Sequence, residues 1–166
     1  MPTDFLSLLQ RDHFDLQNEL TRLLDPDATV SQLRSSLDGV RLGLTAHAEA
    51  EDIVLGQFAG IAALELLIAQ ERAAHLLQEG ALSALVSARV GTTAWRDRAQ
   101  RLRKLVQYHA VQEEQLLLPA LRLHTPRAYE ALAGEFATER LRQLAMLQPS
   151  APIYITDLAR SEMQFS

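Results

Sequence analysis

The sequence predicts an all-α fold, an antiparallel up-down-up-down four-helix bundle with a short additional C-terminal helix. Three observations carry that expectation. Apolar residues recur at steps of three and four along most of the 166 residues, breakers cut the pattern into segments of bundle length, and four histidines fall on the apolar stripes at repeating intervals. A chain of this length fits one core. Its 48% hydrophobic and 22% charged residues are those of a globular protein rather than a disordered one. The expected division is a bundle over residues 1–125 and a helix with a tail over residues 126–166, packed on the bundle or on a partner subunit.

The first helix is expected from about Asp4 to Leu24, with Thr3 as N-cap and the turn chemistry of Asp25-Pro26-Asp27 at its end. Its inward stripe reads Leu6, Leu9, His13, Leu16, Leu20 and Leu23. The second begins near Thr29 or Ser31 and carries Val30, Leu33, Leu37, Val40, Leu44, His47, Glu51, Val54 and Phe58 up to the break at Gly60. The third, from about Ile61 to Ala88, sets Leu64, Ile68, Glu71, His75, Gln78, Leu82 and Leu85 on one stripe and stops before Gly91. The fourth opens at Thr92 or Thr93 and shows Trp95, Ala99, Leu102, Val106, His109, Glu113 and Leu116 before Pro119 disrupts the ladder of hydrogen bonds. Thr125 as N-cap and Pro126 at the first helical position start a shorter helix that runs to about Leu147. Pro149 and Pro152 mark an irregular tail, whose Ile153, Tyr154 and Ile155 either cover one end of the bundle or dock on a second copy to give a homodimer.

Composition narrows the chemistry. Sixteen Lys and Arg stand against 21 Asp and Glu, for a net charge of -5, and no basic block appears, so the footprint of a nucleic-acid binder is missing. There is no cysteine, which excludes disulfides, thiolate zinc sites and thiol-ligated iron-sulfur clusters and leaves histidine and carboxylate as the strong metal ligands. No basic leader followed by an unbroken apolar stretch opens the chain and no run of 18 apolar residues occurs, so no membrane partner is expected and a cytoplasmic location is the default.

Against that background the histidines stand out. His13 to His47 and His75 to His109 both span 34 residues, while His13 to His75, His47 to His109 and Glu51 to Glu113 are each offset by 62. In an up-down-up-down bundle this register brings all six side chains to one level. The two H-x-x-x-E segments place a nitrogen and an oxygen about one turn, ~6 Å, apart on one helix face, so each glutamate can bridge neighbouring ions. One histidine on an apolar stripe is more often a hydrogen-bonded core residue than a ligand. Four of them with a duplicated H-x-x-x-E are hard to reach by independent accident, because each places a costly polar group in the core. Four imidazoles and two carboxylates suit a pair of first-row ions, iron first, with manganese, zinc or a mixed pair as substitutes. A lone ion would leave several of these groups buried without partners, at roughly 1–3 kcal/mol each. His124 lies outside the pattern and reads as a surface residue, and Tyr108 points about 100° away from His109 and reads as packing. Leu9, Leu44, Leu105 and Val106 would line the site and limit solvent access.

The segments RDHFDL at 11–16, HAEAED at 47–52, ERAAH at 71–75 and YHAVQEEQLLLP at 108–119 resemble the signature stretches of the hemerythrin-like, or HHE cation-binding, family over about residues 5 to 123. The resemblance implies a non-haem di-iron centre with His13, His47, His75 and His109 as terminal ligands, Glu51 and Glu113 as bridging carboxylates, and an oxo or hydroxo bridge between the ions. The oxygen-carrying members use five histidines, two of them four apart on the third helix, and a final H-x-x-x-x-D. Here the third helix has one histidine, flanked four residues away on either side by Glu71 and Glu79, either of which could take the missing ligand's place, with Glu71 closer to the core stripe. Solvent at that position, or an edge-of-stripe Glu71 paired with Arg72, are the other readings. Asp52 and Glu114, each five residues after a histidine, are alternative ligands that the repeat disfavours.

The four-His, two-Glu set resembles the branch containing iron-sulfur cluster repair proteins and iron-sensing domains more than the respiratory carriers. The repair proteins usually add a cysteine-bearing N-terminal segment, and this chain begins its first helix at once. The expected function is a binding or sensing module for oxygen, nitric oxide or iron in redox or stress homeostasis, without a catalytic residue set. Two alternatives stand beside it: a di-iron enzyme of peroxidase-like, nitric-oxide-reducing or cluster-repair type, and an interaction scaffold with a vestigial metal site. Ferritin-like chemistry would require Glu-x-x-His pairs, which these core positions lack.

Overall fold

The computed structural model describes residues 3–148, and every regular element among them is helical. In chain order these are α1 (Phe5–Arg22), α2 (Val30–Leu55), α3 (Ala62–Val86), α4 (Thr93–Gln112), α5 (Leu118–His124) and α6 (Pro126–Leu147). A 3-10 turn, Gly56–Phe58, follows α2, and a π-helical turn, Glu113–Leu117, joins α4 to α5. No described helix is long and apolar enough to cross a membrane. Residues 149–166, with Ile153, Tyr154 and Ile155, lie outside the described part of the chain.

Local chemistry explains most of the starts and one correction. The Asp4 carboxylate, not Thr3, caps α1. It accepts from the Leu6 N–H at 2.7 Å, and its charge suits the positive end of the helix dipole. Thr29 opens α2 with a reciprocal pair, its hydroxyl accepting from the Gln32 N–H while the Gln32 side chain accepts from the Thr29 N–H. Thr92 caps α4 by accepting from the Trp95 N–H. The Thr125 side chain does not cap α6: its hydroxyl turns back and donates to the Leu121 carbonyl at 2.6 Å, which also accepts from the Thr125 N–H at 2.8 Å.

Neighbouring helices meet at points whose numbers rise along one helix as they fall along the other. Between α1 and α2, Leu16 lies against Gly43 and Glu19 against Gly39, and a Cβ at Gly43 would come within 3.3 Å of the Leu16 side chain. Between α2 and α3, Asp52 meets His75 while Gly56 sits beside Arg72. Between α3 and α4, His75 meets His109 and the Arg98 guanidinium donates to the Ala84 carbonyl. The interior has two apolar clusters, one around Phe5, Leu9, Ile68, Leu121 and Phe136, the other around Leu20, Leu44, Leu85, Trp95 and Leu102. The polar residues of the stripes lie between them.

The turn at Glu113 changes what the sequence predicts for the end of the fourth helix. The Leu118 N–H bonds to the Glu113 carbonyl, one residue further back than in an α-helix, so the apolar phase slips by one. Leu116, expected on the stripe, is 54% exposed, and Leu117 takes the core position at 2%. Pro119 then falls in the first turn of α5, where its missing N–H costs little, so the helical path continues past it rather than ending. Leu117→Ala is therefore expected to lower unfolding free energy by roughly 2–5 kcal/mol and Leu116→Ala by under about 0.5 kcal/mol, checked by denaturant titration. Val30 is also exposed, contrary to its place on the predicted stripe, because it is the first residue of α2 and has no helix packed over it.

The last helix spans the expected residues, Pro126 to Leu147, a length that makes it a full member of the packing rather than a short addition. Its 22 residues lie against α2 and α1, with Tyr129, Leu132 and Phe136 buried and the Phe5 ring packed edge-on to both aromatics. Phe5, absent from the predicted α1 stripe, is 1% exposed because this extra helix covers it.

Candidate metal centre

Each of four helices brings polar groups to the layer between the two apolar clusters: His13 from α1, His47 and Glu51 from α2, Glu71 and His75 from α3, and His109 at the end of α4 with Glu113 in the π turn. All seven are buried, at 6% exposure or less. They form two sets, His13, His47, Glu51 and Glu113, and Glu51, Glu71, His75 and His109, in each of which one ligand atom per residue lies within 4.8 Å of the others. Glu51 belongs to both. Its Oε1 lies 3.0 Å from His47 Nε2 and its Oε2 3.0 Å from His75 Nε2, so one carboxylate spans the two sets. Glu113 belongs to the first set alone, but one of its oxygens, Oε2, lies 3.5 Å from both His13 Nε2 and His109 Nε2.

These atoms converge without satisfying one another. His13 Nε2, Glu51 Oε1, Glu71 Oε1 and both Glu113 oxygens are buried and have no hydrogen-bond partner. Glu71 Oε1 sits 3.0 Å from His109 Nε2 yet lacks hydrogen-bond alignment, and the Nε2 atoms of His75 and His109 face each other at 3.2 Å. Buried polar atoms left unpaired cost about 1–3 kcal/mol each, so five at one spot need a common partner. Nitrogen and carboxylate donors aimed at shared points fit cations of the first transition row.

Behind the imidazoles stands a second set of carboxylates. Asp12 Oδ2 accepts from His47 Nδ1 at 2.7 Å, Asp52 Oδ1 from His75 Nδ1 at 2.8 Å, and Glu114 Oε1 from His13 Nδ1 at 2.9 Å. A carboxylate on Nδ1 fixes the ring's orientation and leaves the Nε2 lone pair directed inward, the usual support of a metal-binding histidine. Asp52 and Glu114 thus stand behind the rings rather than in the clusters. Sequence reasoning missed Asp12, which sits beside His13 but serves a ring 35 residues away on α2.

The charges reflect the crowding. Burial would raise the Glu51 carboxyl, but the His47, His109 and His75 rings around it hold it well below the usual carboxylate range. Burial and the neighbouring Glu113 carboxylate push Glu71 well above that range, and burial with the Glu51 carboxylate raises Glu113. Burial disfavours charge on the imidazoles too, yet the carboxylates win. His75 is pushed up to about 9 by Asp52 and Glu51, His109 to about 10 by Glu51 and Glu71, and His47 rises well above its ordinary value through Glu51 and Asp12. The carboxylates thus favour positive charge at the centre, whether carried by the imidazoles or by bound cations.

The remaining candidates are elsewhere. Glu79 is exposed and stands at the rim of a cavity of about 360 Å³ between α2 and α3, outside both clusters. His75 and Asp52 line that cavity, together with Leu44, Leu82 and Gln78. His124 and Tyr108 are exposed. Leu9, Leu44 and Val106 are buried and Leu105 partly buried beside the polar layer.

Comparisons with curated proteins and with solved structures gave no match. Among family models, the one described as the hemerythrin HHE cation-binding domain matches residues 1–121, a span that holds all seven clustered side chains and the three carboxylates behind them. The chain belongs to the hemerythrin HHE cation-binding domain family.

Proposed function

We propose that the chain is a non-haem di-iron protein that binds or senses a small diatomic ligand, oxygen or nitric oxide, or iron itself, in redox or stress homeostasis. The observation that carries the reading is the pair of four-residue clusters sharing Glu51, with five buried ligand atoms that no protein group satisfies. His13 and His47 would hold one ion, His75, His109 and Glu71 the other, with Glu51 and Glu113 bridging and an oxo or hydroxo group between the ions. Glu71 would occupy the place of a second histidine on the third helix. A bound iron pair supplies reversible one-electron chemistry and an exchangeable position for a small ligand. The chain's own residues orient the imidazoles through Asp12, Asp52 and Glu114 and keep water away with the two apolar clusters. The contacts between neighbouring helices support an up-down-up-down arrangement for α1 to α4, and a cytoplasmic setting goes with this reading.

Elemental analysis after anaerobic ferrous loading tests it, with two irons per chain expected. His109→Ala or Glu113→Ala should lose at least one of them, and His124→Ala none. Equal loss from all three would contradict the assignment, as would a wild-type chain that takes up no iron. A turnover enzyme is the second reading, favoured by the cavity that His75 and Asp52 help to line. Stoichiometric spectral change on exposure to oxygen or nitric oxide speaks for binding, and sustained consumption with a reductant for catalysis.

A further inference from the structure

The last helix lies beyond the residues that the family model matches, yet it reaches into the centre twice. Arg140 Nε sits 2.9 Å from Asp12 Oδ1 and 3.0 Å from Oδ2, on the same carboxylate that accepts from His47 Nδ1 at 2.7 Å. One turn earlier, the Phe136 ring stands edge-on to the His47 ring, with centroids 5.6 Å apart and planes at 81°. Phe136 is fully buried, His47 is 2% exposed and Asp12 8%, so the chain Arg140, Asp12, His47 runs from a partly exposed guanidinium into the core with little room to rearrange. Asp52 and Glu114, the carboxylates behind His75 and His13, have no cation paired with them among the described residues.

We propose that Arg140 and Phe136 of α6 are positioning residues for the ion held by His47, and that Arg140 sets how strongly that imidazole donates to it. The inference rests on the di-iron reading above. A carboxylate on Nδ1 draws the ring proton and makes Nε2 a stronger donor, and the guanidinium spread over the same carboxylate weakens that pull. Arg140 also adds a positive charge behind the buried Asp12 carboxylate, although its own partial exposure lets solvent screen part of that charge. Both effects favour the reduced ion. Removing Arg140 should lower the reduction potential, and removing the Asp12 charge should raise it.

The test uses the full chain loaded anaerobically with ferrous iron, and separately with zinc alone. Arg140→Gln should keep two irons and show a lower potential, Arg140→Lys should fall between it and wild type, and Asp12→Asn should show a higher potential with metal affinity reduced about 10–100-fold. In the zinc-loaded protein, the His47 Nδ1 proton resonance should move in Arg140→Gln while that of His75 stays. Potentials that shift the same way in Arg140→Gln and Asp12→Asn, or an unmoved potential and His47 proton in Arg140→Gln, would overturn the proposal. If Arg140→Gln does not fold, the comparison of Arg140→Lys with Asp12→Asn still decides the sign. Wild-type protein that binds neither iron nor zinc would instead remove the di-iron reading and this inference with it.

Discussion

Glu51→Ala is expected to take the iron content from two per chain to none, the largest effect of any single substitution in the centre. Glu51 is the one residue common to both clusters, fully buried, with an oxygen 3.0 Å from an imidazole nitrogen on each side. Loss of a terminal imidazole such as His13 leaves the other cluster its four groups, so one iron should remain. Loss of Glu51 leaves each position one donor short and takes away the carboxylate that offsets both cations. The metal-free fold should also suffer, because His47 and His75 lose their shared counter-charge, and truncating one partner of a buried charge pair costs about 3–5 kcal/mol. Metal analysis after ferrous loading checks the first effect and denaturant titration the second. Glu79→Ala, at the exposed rim of the α2 to α3 cavity, should keep both irons. Two irons retained in Glu51→Ala would show that the carboxylate does not bridge.

The clustered side chains were legible because each is an anomaly on a clear period. An imidazole or carboxylate between leucines on a helix stripe costs too much to be incidental, and the offsets of 34 and 62 residues tie four such stripes to one level. Glu71 was legible for the same reason, sharing the stripe of Ile68 and His75. The supporting carboxylates were not, because they lie off the stripes and serve a neighbouring helix. A faint signal exists all the same. Asp12, Asp52 and Glu114 each sit next in sequence to a clustered residue, His13, Glu51 and Glu113, and about 100° further round the helix an acid faces the adjoining rod rather than the centre.

The end of the fourth helix departs from its sequence pattern for a different reason. Nothing in Glu113-Glu114-Gln115-Leu116-Leu117 marks a π turn, and only the positions after it show the slip, since Leu117, Leu118 and Leu121 face the core together while Leu116 does not. The slip begins at Glu113, one of the clustered carboxylates, and π turns often occur where a helix must aim a functional group. The bounds of α6, Pro126 to Leu147, were legible, but its packing on α1 and α2 was not. Its stripe of Tyr129, Leu132 and Phe136 is short, and its partner Phe5 lies at the far end of the chain.

Raising pH should destabilise the metal-free protein and strengthen its hold on metal. His75 and His109, ordinarily near 6.5, sit at about 9 and about 10 in the fold. A group raised in this way stabilises the fold fully below its unfolded value and loses that contribution as pH climbs through the folded one. Glu71 and Glu113, also raised, act in the same direction at lower pH, whereas Glu51 and Asp12, held low, contribute above their ordinary values and fail in acid. Without metal, the Tm should therefore fall steadily between pH 7 and pH 10. Metal needs the Nε2 lone pairs, so binding at pH 7 must expel protons, at least two from the four imidazoles and Glu71, and affinity should rise as pH does. Free ion at about a thousand times Kd adds roughly 4 kcal/mol, which for a chain of this size raises Tm by roughly 10 °C. The gap between loaded and metal-free melting curves should be smallest near pH 6 and widen toward pH 9. Calorimetry across that range, with proton release followed in weak buffer on zinc addition, checks both halves. A gap that narrows with pH, or binding without proton release, would mean that the ions do not displace protons from these rings.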